Sequence, residues 1–315
     1  MNTKDEQPFH LNEVTIEPAT KYVYLGTPIT CESITHQVNM HIKMKMSHTL
    51  KFSSFIYKNW DAPFIVKEKV WKSALNSAMF YGCETWLCNN TKTAEATYST
   101  TLKLLLGVRN TTNNNIACVE ANVSSAKAFI KDRQSRFLKK LLQRDGYIDT
   151  QLHHFIELAK QVKSPMGVYL INLDIYANHS DSWLSNVKIE IANATSTRYQ
   201  TYVTINPTLL PSPLYKDPSV PEYARVACTR LRLSSHRLRI ETGRWARIPR
   251  ENRTCRCGNA VQTEEHVLLS CPDSAHIRAM YLPATDCDNI AELFDNAANK
   301  HELSVYCYNI LDYFK

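Results

Sequence analysis

The sequence predicts a mainly α protein: a helical domain after a short N-terminal β-hairpin, then a small cysteine- and arginine-rich helical module. Three observations carry this. Glycine is scarce, 7 residues in 315, about 2% against an ordinary ~7%. No two glycines lie within four residues of each other, so neither a GxGxxG fingerprint nor a Walker A loop can be built. Apolar residues recur at helical spacing over most of the chain, and β-forming residues cluster once, near the N-terminus.

The elements follow in order. Residues 1–31 hold the hairpin, Thr20 to Thr30, with Gly26 and Pro28 at its turn; alone, such a hairpin is marginal in water and reads as the remnant of a larger sheet. Residues 32–149 form the helical domain. Its first helix runs from Ser33 to about Trp60 on the stripe Ile34, Val38, Ile42, Met46, Leu50. A second follows Pro63 and carries Val66, Val70, Ala74 and Ala78. A third, Thr97 to Leu106, is closed by Gly107. A fourth, opened by Ser124 or Ser125, turns Ile130, Phe137, Leu138 and Leu141 inward and Lys127, Lys131, Arg136, Lys139 and Lys140 outward. Residues 150–220 mix helical and strand-like pieces and end in an extended linker with prolines at 207, 211, 213, 218 and 221. Residues 221–315 form the C-terminal module, with Pro221 as the first residue of its opening helix.

Net charge is +7, concentrated in two places. Residues 225–256 hold ten arginines, no lysine and two acids, and residues 124–144 hold seven basic residues and one acid. Together they carry +14, so the rest of the chain carries −7. Solubility alone calls for dispersed charge. Arginine without lysine suits bidentate phosphate recognition, so the expected partner is RNA or DNA. The proposed contacts are Arg225, Arg230, Arg232, Arg237, Arg239, Arg244, Arg247, Arg250, Arg253, Lys127, Lys131, Lys139 and Lys140. The competing reading of both stretches is a solvated helix face. Trp245 is either a base-stacking platform or a core aromatic, and His236 a packing or hydrogen-bonding residue.

One motif is specific. Cys255-Arg-Cys257-Gly258, His266 and Cys271 give a C-x-C-x8-H-x4-C array. Three thiolates and an imidazole are a structural zinc set, and with four protein ligands no position is left open for hydrolysis. Gly258 relieves the turn, Thr263 caps a short helix whose first turn holds Glu264 and Glu265, and Pro272 ends it. Arg253 and Arg256 are expected to offset the site's charge. The alternative is a buried or redox-active C-x-C pair with His266 unrelated; Cys287, Cys307 and His276 are possible substitute ligands. The charged N-terminus and the absence of a long apolar run predict neither a leader nor a membrane span, hence an intracellular, nuclear or cytoplasmic protein with free or metal-bound thiols.

Four stretches resemble the C-terminal portion of reverse transcriptases from non-LTR (LINE-type) retrotransposons. They are Tyr24-Leu25-Gly26 with Ile29, Phe80-Tyr-Gly-Cys-Glu-Thr-Trp86, Leu105-Leu-Gly-Val-Arg109 with Arg133-Gln134 and Phe137, and Ser235 to Trp245 continuing through Cys271. The resemblance implies that residues 1–31 are the remnant of a polymerase palm, residues 32–149 a thumb-like domain tracking a template–primer duplex, and residues 221–315 a zinc-binding region gripping RNA or target DNA during target-primed reverse transcription. The family's polymerase uses a Y-x-D-D turn to hold two metal ions, and this sequence has no Asp-Asp pair. It is therefore expected to bind nucleic acid without catalysing polymerisation, with the separate polymerase portion as a possible partner. The alternative is a zinc-stabilised helical scaffold derived from such an element, with no nucleic-acid role.

Overall fold

The computed structural model describes residues 8–143, 147–282, 287–295 and 300–315. Arg144, counted above in the second basic stretch, and residues 1–7 of the hairpin region lie outside them. The fold is mainly helical, as predicted, with two small antiparallel hairpins as its sheets among the described residues. In the first, β1 (Phe9–Leu11) pairs with β2 (Val14–Ile16), an element the sequence reading missed. In the second, β3 (Lys21–Tyr24) pairs with β4 (Thr27–Thr30). Leu25 and Gly26 take φ of +47° and +77° at its two-residue turn, the left-handed pair that matches strand twist in a hairpin.

Helix α1 spans Ile34–Lys58. Val38 and Ile42 are buried, but Met46 and Leu50 are exposed, and Phe52 is buried instead. A strict spacing of four advances 400° on a helix of 100° per residue, so the predicted stripe drifts 40° per step and leaves the core after Ile42. The next prediction slips in a similar way. Helix α2 (Phe64–Val70), a π-helical turn (Trp71–Asn76) and the short α3 (Ser77–Met79) bury Phe64, Lys67, Trp71, Leu75 and Met79. Val66 and Ala74 face solvent.

Helix α4 (Lys92–Leu106) closes as expected. Gly107 has φ +75°, and Val108 N–H donates to Lys103 O at 3.0 Å, the six-to-one bond of a Schellman cap. Helix α5 (Asn114–Glu120) is capped by Asn113. Helix α6 (Ala126–Leu142) is capped by Ser125, whose Oγ accepts from Ala128 N at 3.2 Å. Phe137 was expected inside and is 40% exposed.

The strand-like pieces expected between 150 and 205 are helices: α7 (Tyr147–Gln161), α8 (Pro165–Ile171), α9 (His179–Asn193) and α10 (Thr197–Ile205). The proline-rich stretch is no solvated linker, because Leu209, Leu214, Tyr215 and Val220 are buried along it. Pro221 is the N-cap of α11 (Glu222–Arg232), one residue outside the helix. Then come α12 (Arg239–Trp245), α13 (Ala275–Tyr281), α14 (Ile290–Asp295) and α15 (Lys300–Tyr313).

Two compact units result, and neither is continuous in sequence. One comprises Met1–Phe52, Lys72–Ser99 and Ser124–Trp183. Its core gathers Phe80 with Trp86, Tyr98 and Phe129 at ring-centroid distances of 6.2, 5.8 and 5.3 Å. Here the segment Phe80–Trp86 is tied to the Arg133-Gln134 pair. Arg133 Nε donates to Glu84 Oε1 at 2.8 Å, and Gln134 Nε2 donates to Trp86 O at 2.7 Å.

The other unit comprises Ser53–Trp71, Thr100–Val123 and Leu184–Lys315. Its core holds α11, α15 and the cysteine-rich loop on Leu231, Leu238, Val267, Leu268, Tyr306 and Ile310. Glu120 sits at its polar centre, accepting from Arg232 Nε at 2.7 Å and from the Tyr202 and Tyr215 hydroxyls at 2.9 Å each.

Candidate metal centre and its arginine-bearing helix

The cysteine-rich loop is shaped by its backbone. A bridge pairs Thr254 with Val261, Cys255 N–H donates to Ala260 O at 2.7 Å, and Gly258 N–H returns to Cys255 O at 3.0 Å. Gly258 takes φ +75°, a conformation that favours glycine. Thr263 Oγ1 accepts from His266 N at 3.1 Å, the expected cap. The following turn, His266–Ser270, is π-helical, and Cys271 N–H donates to His266 O at 2.8 Å. The wider turn lets His266 and Cys271, five residues apart, face the same point.

The four ligand atoms of Cys255, Cys257, His266 and Cys271 lie within 4.8 Å of one another. Cys255 Sγ is 3.7 Å from Cys271 Sγ, and Cys257 Sγ is 3.3 Å from His266 Nε2. The other imidazole nitrogen, Nδ1, is 3.2 Å from Ser270 Oγ, the kind of outer contact that orients a histidine ligand. Burial, and next the Arg278 guanidinium, hold the imidazole below its usual pKa, so its nitrogen is available as a ligand. The Asn259 backbone N–H holds the Cys257 thiol below its usual range, whereas burial pushes Cys271 up to about 11. The donor set and its convergence suit a bound metal ion.

The alternative ligands are placed elsewhere. Cys307 is fully buried and hydrogen-bonded to Cys228, and the His276 ring packs against Tyr313 at 5.3 Å. Residues the motif did not reveal fasten the loop from behind. Ser274 Oγ donates to Val267 O at 2.8 Å, Arg278 Nη2 donates to Cys271 O at 3.2 Å, and the Tyr306 hydroxyl donates to Leu268 O. Arg256, between two of the ligands, pairs with Asp273 at 3.2 Å and stacks 3.7 Å from the Tyr313 ring centroid. Its charge is thus held between a carboxylate and an aromatic face.

Gln262 joins the loop to α12. Its Nε2 lies 3.8 Å from Cys255 Sγ, its Oε1 accepts from Arg239 N at 2.7 Å, and its backbone O accepts from Ile240 N at 3.3 Å. Arg239 Nη1 donates to Thr254 O at 3.1 Å. Cys255 and the start of the arginine-bearing helix are thus held by one side chain. His236 packs behind, its Nε2 2.8 Å from Glu264 Oε1, as the packing reading expected. Glu264 is buried too; burial alone would raise its pKa, but His236 and Ser234 hold it below the usual value.

The predicted nucleic-acid contacts divide. Arg225 and Arg232 are buried, and they point inward because buried acids draw them there. Arg225 Nε donates to Glu222 Oε2 at 2.7 Å, and Arg232 Nε donates to Glu120 Oε1 at the same distance. Neither is available at the surface, which corrects their assignment as strand contacts. Arg253 crosses Gly243 and donates to Ile240 O and Ile248 O, so it braces α12. Arg244 Nη1 lies 2.7 Å from the buried Glu241 Oε1, close enough for an ion pair but not aligned as a hydrogen bond. Arg230, Arg237, Arg239, Arg247 and Arg250 are exposed. In the other unit Lys127, Lys139 and Lys140 are exposed along α6, while Lys131 is half-buried, its ammonium held below the usual pKa by burial and by Lys127. Trp245 is 46% exposed and is not a core aromatic.

Among the described residues no helix is long and apolar enough to cross a membrane. Compared with protein-family models, curated proteins and solved structures, the chain matches none.

Proposed function

We propose that the protein binds RNA or DNA through an arginine surface organised by a structural zinc ion, as its resemblance to the C-terminal portion of non-LTR retrotransposon reverse transcriptases implies. The Gln262 bridge carries the reading, since it links a metal-ligand sulfur to the helix bearing Arg239 and Arg244. Zinc is the favoured ion. Zn–S of ~2.3 Å and Zn–N of ~2.0 Å in a tetrahedron require S···S near ~3.8 Å and S···N near ~3.5 Å. The observed 3.7 and 3.3 Å stand close to those edges. Cys255, Cys257, His266 and Cys271 would hold the ion, which supplies cross-linking and no chemistry. The sequence has no Asp-Asp pair for nucleotidyl transfer, so the proposed role is to hold the strand. Any polymerase portion would then be a partner.

Two measurements test this. Metal analysis of the purified protein should give one zinc per chain. The affinity for labelled RNA and DNA, followed against salt, should fall with a log–log slope near ~−0.9 per phosphate contact on B-DNA. A flat response would instead support the zinc-stabilised scaffold, the reading favoured by the inward turn of Arg225 and Arg232.

A further inference from the structure

Two guanidinium groups grip one loop that lies far from the arginine-rich run in sequence, and a third belongs to the loop itself. Arg230 Nε donates to Gly107 O at 2.8 Å, and Arg198 Nη1 donates to Thr111 O at 3.5 Å. Between them Arg109 donates from its backbone N to Ser235 Oγ at 2.9 Å and from Nη2 to Ser234 O at 3.1 Å. The Arg109 guanidinium lies 3.9 Å from the centroid of the Trp245 ring, stacking on it, and Trp245 stays 46% exposed.

Positive charge here is under-compensated. Burial holds the Arg109 guanidinium below its usual pKa; Glu241 pulls the other way, and Arg198, Arg230 and Arg237 add to the depression. Glu241 lies 3.9 Å from Arg109 Nη2 and is shared with Arg244. Like charges brought this close repel unless an anion is supplied. An arginine stacked on a half-exposed indole, ringed by further arginines, offers both elements of single-strand recognition: an aromatic face for a base and cations for its phosphates. A duplex keeps its bases stacked on each other and would leave the indole unused.

We infer that the Trp245–Arg109 stack, with Arg198, Arg230 and Arg237 around it, is a binding site for single-stranded nucleic acid. This rests on the proposed nucleic-acid role and deepens it, bringing in Arg109 and Arg198 from outside the arginine-rich run. RNA and DNA strands share the chemistry, and the probes separate them.

The experiment measures fluorescence anisotropy of the full chain with a short oligouridylate, the matching oligothymidylate and a DNA duplex. Trp245→Ala should weaken single-strand binding about tenfold and leave duplex binding within about twofold, while Trp245→Phe retains most of the affinity. Arg198→Ala and Arg237→Ala, which leave the indole in place, should each lower the salt slope by about one. Zinc content and circular dichroism check that each variant folds. If Trp245→Ala and the arginine variants bind single strands like the parent, the inference is overturned while nucleic-acid binding stands. Equal losses on duplex and single strand would overturn it too. Wild-type protein that binds none of the three probes at low salt would remove the proposed function along with it.

Discussion

The two basic stretches differ in whether any of their charges enter the core. Along α6 the charges stay outside: Lys127, Arg136, Lys139 and Lys140 are exposed, over a core of Phe80, Trp86, Tyr98 and Phe129. Along α11 Arg225 and Arg232 go in while Arg230 stays outside, because Glu120 and Glu222 are buried and each must be matched. Glu222 takes both Arg225 and Lys67, the latter at 2.9 Å, and Arg225 also stacks 4.8 Å from the Phe64 ring. Basic residues thus form a solvated coat along α6, whereas two of those on α11 belong to the core. What decides is whether a desolvated carboxylate waits across the gap.

The contrast can be broken hardest at the metal centre. Treatment with a strong chelator, or Cys257→Ser, should abolish hydrogen-exchange protection over 255–271 and α12 if the proposed ion is bound there. Structural zinc in small modules is worth ~10–16 kcal/mol, as much as the whole net stability of a typical domain at ~5–15 kcal/mol. Protection around Phe80 and Trp86, which rests on apolar packing, should persist. Unchanged exchange across 255–271 after chelation would remove the metal claim.

A smaller effect is expected at the buried ion pair. Arg232→Ala strands the Glu120 carboxylate and should cost about 3–5 kcal/mol, read from urea denaturation. Replacing both partners by apolar residues of similar volume should be much milder. If the double variant is as damaged as the single one, Glu120 matters for its tyrosine partners more than for Arg232.

The smallest is a pH effect in the aromatic core. His41 is fully buried, its ring 5.3 Å from that of Trp86. Burial, and next Lys45, hold its imidazole below the ordinary 6.5, against opposing backbone contacts from Ala78 and Met79. The unfolded chain therefore takes up the proton first as pH falls. Stability should hold above pH 6.5 and decline below it, and His41→Leu should flatten that decline in thermal melts. An identical pH profile in the variant would show that another group is responsible.

Much of this was legible in the sequence. Helical class, the hairpin at Gly26, the caps at Gly107 and Ser125 and the convergence of Cys255, Cys257, His266 and Cys271 follow from local chemistry, which sequence spacing records well. The burial of Arg225 and Arg232 did not follow, since Glu120 lies more than a hundred positions from Arg232 and only the packed chain brings them together. The π-helical turns at 71–76 and 266–270 were equally hidden, because each adds a residue that no 3.6-residue pattern includes. The missed β1–β2 hairpin has Asn12 at φ +54° in its turn, a signal available in Asn12-Glu13 but weaker than Asn-Gly.

Arg256 under Tyr313 and Phe314 has a consequence for the order of assembly at the ribosome. The four candidate ligands emerge in one short stretch of nascent chain, complete once Cys271 has been added. The aromatic partners of Arg256, 3.7 Å from its guanidinium to one ring centroid and 4.7 Å to the other, arrive only when residues 313 and 314 have been translated. The Cys255–Cys271 loop is thus fully translated well before the two rings that hold Arg256, so the contact between the loop and the chain's last aromatic residues is the last of its supports to form.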